Sequence, residues 1–271
     1  MNLTSPSQVK AWCIENDFHP NKTMGQNFLI DRNALVAIVD AGLEQVRGVA
    51  SPRVLEIGPG LGVLTEELLS RGCDVVAIEK DPILAERLAG SLGNPERLSV
   101  VAGDALDFIN HKSALPGDRP FDCMVSNLPY QSGTRILLEL VLSRSIAAIT
   151  ALVQSEVADR LVAGEGSKTR GLAGVWAQLD YDVEIVRKVS ASCFWPRPKI
   201  GSSVVRLVRH ERNADFSEEE RDVFHKITKK AFEHRRKQLG SIFRDMIQST
   251  ARAEELSNED WKNLVKGLMG T

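Results

Sequence analysis

Val54-Leu55-Glu56-Ile57-Gly58-Pro59-Gly60-Leu61-Gly62 runs a short apolar stretch straight into a glycine-rich turn, and residues 63–70 continue at helical spacing. Strand, glycine turn and helix in that order begin a parallel βαβ unit. Gly58, Gly60 and Gly62 let the backbone take positive φ and come close to a ligand. The helix N-terminus beyond them favours negative or polar ligand groups. The dinucleotide form of this turn, G-x-G-x-x-G/A, is not met, because its third small position falls on Val63.

Working outward, apolar runs at 53–57, 74–79, 98–102, 123–126 and 148–153 read as strands, and 31–42, 63–70, 83–91 and 134–142 as helices. Strands alternating with helices predict a parallel sheet covered on both faces, an α/β doubly wound fold. Two further strands are expected at 181–189 and 202–208, separated by Cys193-Phe194-Trp195-Pro196-Arg197-Pro198-Lys199. The two prolines make that connection a loop or hairpin, which would leave the sheet mixed but mostly parallel. After Arg209 the composition changes. His210 to Asp215 is polar, Ser217-Glu218-Glu219-Glu220 has the form of a capping box, and Ser257-Asn258-Glu259-Asp260 opens a second helix. The expected division is therefore 1–209 as a large α/β domain and 210–271 as a small helical one.

The chain has 271 residues, 43% hydrophobic and 26% charged, which excludes a mostly disordered protein. No apolar run approaches the roughly 18–20 residues of a membrane span, and the first residues lack the basic-then-apolar layout of a signal peptide. Cys13, Cys73, Cys123 and Cys193 are scattered, with no CxxC or Cys/His cluster. That spacing predicts no metal site and free thiols in a reducing cytoplasm. A formal charge of -2 argues, as a whole-chain figure, against a nucleic-acid binder.

Candidate site residues collect at successive strand ends. Glu79 closes the strand after the glycine turn, where a carboxylate can hold both hydroxyls of a ribose. Asp104, in Gly103-Asp104 after the third strand, is placed to accept from an adenine amino group. Glu56 lies within the glycine motif itself. Together these predict one crevice above the carboxyl edge of the sheet, suited to S-adenosylmethionine; singly, each also fits a tight turn or a loop-capping carboxylate.

The fourth strand ends in Asn127-Leu128-Pro129-Tyr130, which also fits a turn stiffened by proline. Its chemical reading starts from adenine N6, whose lone pair is delocalised into the ring. Acceptors on the amino hydrogens, the Asn127 side-chain oxygen and the Leu128 carbonyl, would draw that nitrogen toward tetrahedral geometry. Pro129 fixes the carbonyl and brings no competing N–H, and Tyr130 offers a ring face to an extruded base. Methyl transfer from a sulfonium then needs positioning rather than a metal.

These segments, with Gly25-Gln26-Asn27-Phe28-Leu29, resemble the ribosomal RNA adenine dimethyltransferases of the KsgA type. Supporting matches are Glu156-Val157-Ala158-Asp159-Arg160-Leu161, Ser167-Lys168, Phe194-x-Pro196-x-Pro198-Lys199 and His234-Arg235-Arg236-Lys237. Three places depart from the family pattern: Asn21-Lys22-Thr23-Met24 offers only Lys22 where several basic residues often precede the Gly-Gln motif, Gln131-Ser132-Gly133 follows Tyr130 where an Asn-Ile-Ser-like run is common, and Gly201 stands where Asp is frequent. The resemblance implies a class I S-adenosylmethionine-dependent methyltransferase fold. It also implies dimethylation of two adjacent adenosines in the 3'-terminal hairpin of 16S ribosomal RNA, within the small subunit late in its assembly. It assigns Asn27, Leu29, Gly58, Gly60, Glu79, Asp104 and Asn127 to S-adenosylmethionine, and Phe194 to a second ring that sandwiches the target base against Tyr130.

Charge is unevenly spread. Residues 1–150 carry a balance of -5 and residues 151–271 one of +3. Arg197 and Lys199 stand beside the expected base pocket, and Lys229, Arg235, Arg236 and Lys237 form a second basic cluster; both suit phosphate contacts, although a charge run also fits a solvated helix face. RNA within the small ribosomal subunit is the expected partner, a monomer the expected state. The rival readings are a resistance-type methyltransferase of large-subunit RNA, a non-catalytic assembly or transcription factor, and a nicotinamide oxidoreductase. The Gly-Pro-Gly-Leu-Gly turn and Leu128 weigh against the first, intact Asn127 and Tyr130 against the second, and Val63 against the third.

Overall fold

The computed structural model describes residues 1–111 and 114–270, without the side chains of residues 22 and 245. The chain divides into two compact units, Met1–Ala158 with Glu184–Val208, and Asp159–Val183 with Arg209–Thr271.

The first unit begins with α1 (Pro6–Glu15), a two-residue strand β1 (Phe28–Leu29) and α2 (Arg32–Leu43). Asp31 caps α2 by accepting from the Ala34 N–H at 2.8 Å, and Leu35, Ile38 and Val39 bury its apolar stripe. Then come β2 (Arg53–Ile57), α3 (Val63–Ser70), β3 (Asp74–Glu79), α4 (Pro82–Ser91), β4 (Leu98–Ala102), α5 (Ala105–Ile109), β5 (Cys123–Asn127), α6 (Gly133–Ser143) and β6 (Ala148–Gln154). After α7 (Ser155–Val162) and α8 (Leu172–Asp180), the strands β7 (Tyr181–Val189), β8 (Phe194–Trp195) and β9 (Ser202–Arg209) follow.

The main sheet has the order β4-β3-β2-β5-β6-β9-β7. From β4 to β6 neighbouring strands are parallel, and β9 runs antiparallel to β6. All five residues of β2 are buried, as expected of a strand covered on both faces. The chain builds β2, β3 and β4 in one direction and then crosses back to place β5 on the other side of β2. That reversal opens a crevice at the carboxyl ends of β2 and β5. The 193–199 connection, expected as a loop or hairpin, contains β8, which pairs antiparallel with β1. Two residues are too few to show alternation in sequence, so only the partner reveals the strand.

In the second unit α8 packs with α9 (Glu218–Glu233), α10 (Leu239–Phe243) and α11 (Asn258–Met269). Val175 and Leu179 of α8 share a core with Phe224, Ile227, Trp261 and Val265. Trp176 Nε1 donates to Thr228 Oγ1 at 2.9 Å, and Asn258 Nδ2 to the Val175 carbonyl at 2.9 Å. Arg221 of α9 donates to both oxygens of Asp180, at 2.8 and 2.6 Å. The sequence division left 159–183 with the larger domain. Its apolar stripe needs the C-terminal helices to be covered, and those lie some 40 residues further along the chain. Capping boxes form at Ser217/Glu220 and Ser257/Asp260.

All four cysteines are free; burial pushes the Cys73 thiol up to about 11 and that of Cys123 up to about 12. Among the described residues no group of His, Cys, Asp or Glu is arranged to hold a metal ion, and no helix is long and apolar enough to cross a membrane.

Candidate active site

A cavity of about 320 Å³ lies in the crevice, walled by residues 23–29, 57–61, 78–80, 103–105 and 127–132. It brings together Asn27, Leu29, Gly58, Gly60, Glu79, Asp104, Asn127, Leu128, Pro129 and Tyr130, residues read from five separate stretches of sequence. The strand ends explain the convergence, since β2, β3, β4 and β5 all run the same way and deliver their following loops to one edge.

The Glu79 carboxylate is held at both oxygens, Oε2 accepting from the Gly60 N–H at 3.0 Å and Oε1 from the Asp81 N–H at 2.9 Å. It is 6% exposed, and burial pushes its pKa above the usual carboxylate range. Asp104 caps α5 through Oδ1, which accepts from the Leu106 N–H at 3.0 Å, while the Lys80 ammonium donates to Oδ2 at 2.8 Å. That hydrogen bond from Lys80 holds the Asp104 pKa below its ordinary value. The capping role and a ligand role are compatible here, since Asp104 still forms part of the cavity wall.

Asn127 sits at the last position of β5, and its Nδ2 donates to the Asn27 carbonyl at 3.3 Å. That bond takes one of the two amide hydrogens and turns the NH2 end toward residue 27, leaving the oxygen as the acceptor end of the amide. The Asn27 side chain in turn donates to the Gly25 carbonyl at 3.1 Å. Gly25 has φ +69, and a Cβ there would stand 2.9 Å from the Tyr130 nitrogen and 3.1 Å from that of Gln131. Only glycine allows these two backbone segments to meet so closely. Beyond Asn127, the Leu128 N–H donates to the Leu152 carbonyl at 3.2 Å, and the Gly133 N–H to the Pro129 carbonyl at 2.7 Å. The Asn-Leu-Pro-Tyr turn is thereby fastened to β6 on one side and to the start of α6 on the other.

Three expected site residues are placed elsewhere. Glu56 is 1% exposed and does not line the cavity; it accepts from the Thr65 hydroxyl of α3 at 2.7 Å, and burial pushes its pKa up to about 8. Successive strand residues point to opposite faces, and Ile57 is the one that reaches the wall. Phe194 is 2% exposed and belongs to the hydrophobic core, because the β1–β8 register sets it opposite Leu29. Its ring meets that of Tyr130 edge-on, centroids 6.4 Å apart and planes at 66°, so the two rings form no parallel slot. Arg235 is engaged internally, donating to the Lys168 carbonyl at 2.6 Å and pairing with Glu254 at 3.4 Å. Arg197, Lys199, Lys229, Arg236 and Lys237 are exposed.

Three residues with no role assigned from sequence now have one in the geometry. Gln26 donates to Asp81 Oδ2 at 2.8 Å and accepts from the Asn21 N–H at 2.6 Å, tying the 21–27 segment to the end of β3. Lys80 holds Asp104, and Ser202 is hydrogen-bonded to the Tyr130 hydroxyl. Gln26 stands inside the Gly-Gln-Asn-Phe-Leu motif; nothing in the sequence marks the other two.

Residues 17–267 match the family model described as ribosomal RNA adenine dimethylase. A ribosomal RNA small subunit methyltransferase A from Deinococcus radiodurans is 45% identical over 211 residues, covering 76% of this chain and 67% of that protein. Its counterpart in Cutibacterium acnes is 39% identical over 266 residues, covering 94% and 85%. Among solved structures, a dimethyladenosine transferase from Plasmodium falciparum superposes with a TM-score of 0.74 at 22% identity, over 89% of this chain and 97% of that one. The 23S rRNA methyltransferase ErmE gives 0.67 at 25% identity, over 90% and 100%.

Proposed function

The chain belongs to the ribosomal RNA adenine dimethylase family, and on that premise we propose that it transfers methyl groups from S-adenosylmethionine to N6 of two adjacent adenosines in the 3'-terminal hairpin of 16S ribosomal RNA. The particle acted on is the small ribosomal subunit during its assembly in the cytoplasm, and the protein works as a monomer. The observation that carries the reading is that Asn127-Leu128-Pro129-Tyr130 lines the same cavity as Glu79 and Asp104.

The residues present suit S-adenosylmethionine. The cavity lies in the size range of small-molecule sites, and Gly60, at φ +60 with the Phe28 ring 3.1 Å from where a Cβ would stand, keeps the turn's backbone open to a ligand. Glu79 would take the ribose hydroxyls and Asp104 the adenine amino group, with Asn27, Leu29, Gly58 and Gly60 forming the walls. When bound, this group supplies an activated methyl on a sulfonium centre.

The protein's own work is to prepare and aim the nucleophile. Asn127 Oδ1 and the Leu128 carbonyl accept from the adenine amino group and draw its lone pair out of the ring. Pro129 keeps that carbonyl in place, and Tyr130 stacks on the extruded base. Holding nitrogen and methyl carbon in line supplies most of the acceleration. The methylated nitrogen loses one proton after the first transfer and keeps one amino hydrogen, so one of the two acceptors still engages it for a second. Arg197, Lys199, Lys229, Arg236 and Lys237 contact phosphates, which gives affinity without reading sequence, and the 210–271 helices contribute to RNA binding in this way.

Transfer of tritiated methyl groups to small subunits that lack the modification tests the proposal, with large subunits and free RNA as controls. Label in dimethyladenosine of small subunits alone is the expected result. Label in large-subunit RNA would overturn the substrate, and tight subunit binding with no transfer would favour an assembly factor.

A further inference from the structure

We propose that Ser202 is a positioning residue of this reaction, fixing the Tyr130 ring so that the target base stacks on one aromatic face rather than between two. The inference rests on the function proposed above and deepens it at the base subsite.

Three observations carry it. The Tyr130 hydroxyl is hydrogen-bonded to Ser202 Oγ, and Ser202 is itself 1% exposed. Ser202 is the first residue of β9, in register with Gln154 of β6, so its position is set by the sheet. Phe194 is packed in the core and meets Tyr130 edge-on, presenting no parallel partner to it. A base held between two rings needs them parallel and about 7 Å apart, one van der Waals contact on each side; at 66° and 6.4 Å there is no such gap.

A tyrosine side chain has two torsions. The turn held by Pro129 and Gly133 fixes its root, and contact with Phe194 limits its swing. The hydrogen bond to Ser202 fixes the far end, so the ring is oriented before the base arrives. The phenol oxygen has no part in methyl transfer on this view; it is a tether. Preorganising a stacking platform in this way avoids ordering it at the moment of binding. Phe194 then serves as a support behind Tyr130.

The test compares Tyr130→Phe, Ser202→Ala, the double variant and Phe194→Leu with the unaltered protein. Tyr130→Phe removes the same hydrogen bond from the other side, so the question survives should alanine at 202 loosen the strand. Expected for each tether variant is a three- to tenfold fall in kcat for small subunits, about the worth of one hydrogen bond, with S-adenosylhomocysteine affinity by calorimetry unchanged. The double variant should be no worse than the worse single one, because both remove one interaction. A hairpin RNA with 2-aminopurine at a target position, in the presence of S-adenosylhomocysteine, reports stacking as fluorescence quenching. Quenching should weaken in both tether variants and persist in Phe194→Leu. Additive losses in the double variant, undiminished rate and quenching in Ser202→Ala, or a loss of quenching in Phe194→Leu as large as that in Tyr130→Phe would each overturn the inference. Normal quenching by the unaltered protein with no transfer to subunits would remove the proposed reaction and leave the tether standing.

Discussion

At the scale of single residues, the site separates the groups that bind from the group that activates. Glu79 and Asp104 are carboxylates at strand ends, whereas Asn127 is a neutral amide oriented by one N–H bond to the Asn27 carbonyl. Asn127→Ala should therefore lower kcat by roughly a hundredfold, the scale of losing one preorganised polar group from an active site, while S-adenosylhomocysteine binding falls far less. Equal losses in calorimetry and in methyl transfer would assign Asn127 to cofactor binding alone. Glu56 makes a different prediction. Its folded-state pKa is raised to about 8 by burial, above the ordinary carboxyl value it takes when unfolded. The native state thus keeps a proton that the unfolded chain releases, so this residue's contribution is greatest below the ordinary value and is lost as pH rises toward 8. Glu56→Gln, which keeps an acceptor for Thr65, should flatten that decline. Urea midpoints at pH 5 and pH 8 measure it, and an unchanged difference between the two pH values would show that Glu56 ionises normally.

At the scale of elements, α9 shows how much stability depends on partners rather than on propensity. Its capping box is local: Ser217 Oγ accepts from the Glu220 N–H at 3.2 Å, and Glu220 Oε2 from the Ser217 N–H at 2.7 Å. Ser217→Ala should cost about 1 kcal/mol. Arg221 lies one turn on and its pair with Asp180 is buried, so Arg221→Met, which strands that carboxylate, should cost about 3–5 kcal/mol. Denaturant unfolding that ranked the two the other way would mean Asp180 is relieved by other groups. The box was readable because its residues are three apart in sequence; the buried pair was not, because Asp180 and Arg221 are joined only by the fold. Similarly β2, β3, β4, β7 and α3 have the bounds their patterns predict, each being a stretch of strand or helix period closed by glycine or a polar residue. Elements such as α5, β1 and β8 are too short for any period to show.

At the scale of the whole molecule, a net charge of -2 conceals where cations are exposed. Affinity for naked hairpin RNA should be modest and steeply salt-dependent, with subunit shape adding to it. Replacing Arg197 and Lys199, or Arg236 and Lys237, by alanine should reduce the slope of log K against log salt by about 0.7–0.9 for each phosphate left without its cation. Arg235→Ala should leave that slope nearly unchanged and lower thermal stability, because its guanidinium serves the Lys168 carbonyl and Glu254. A slope change for Arg235→Ala matching that of Arg236→Ala would return it to the RNA-binding set.

The sequence alone determined the α/β class, which stretches of chain form the main strands, and the residues at their carboxyl ends; their order in the sheet came from the structure. Burial periodicity and turn chemistry act between near neighbours, so they are written in short stretches of chain. It also singled out Asn127-Leu128-Pro129-Tyr130, since a polar residue and a proline seldom close a buried strand without a reason. Only the tertiary structure decided the direction and occupancy of side chains. It turned Glu56 away from the cavity, sank Phe194 into the core, engaged Arg235, and joined Tyr130 to Ser202 across 72 residues. Those outcomes depend on which groups the sheet register and packing bring together, and distance along the chain carries no record of that.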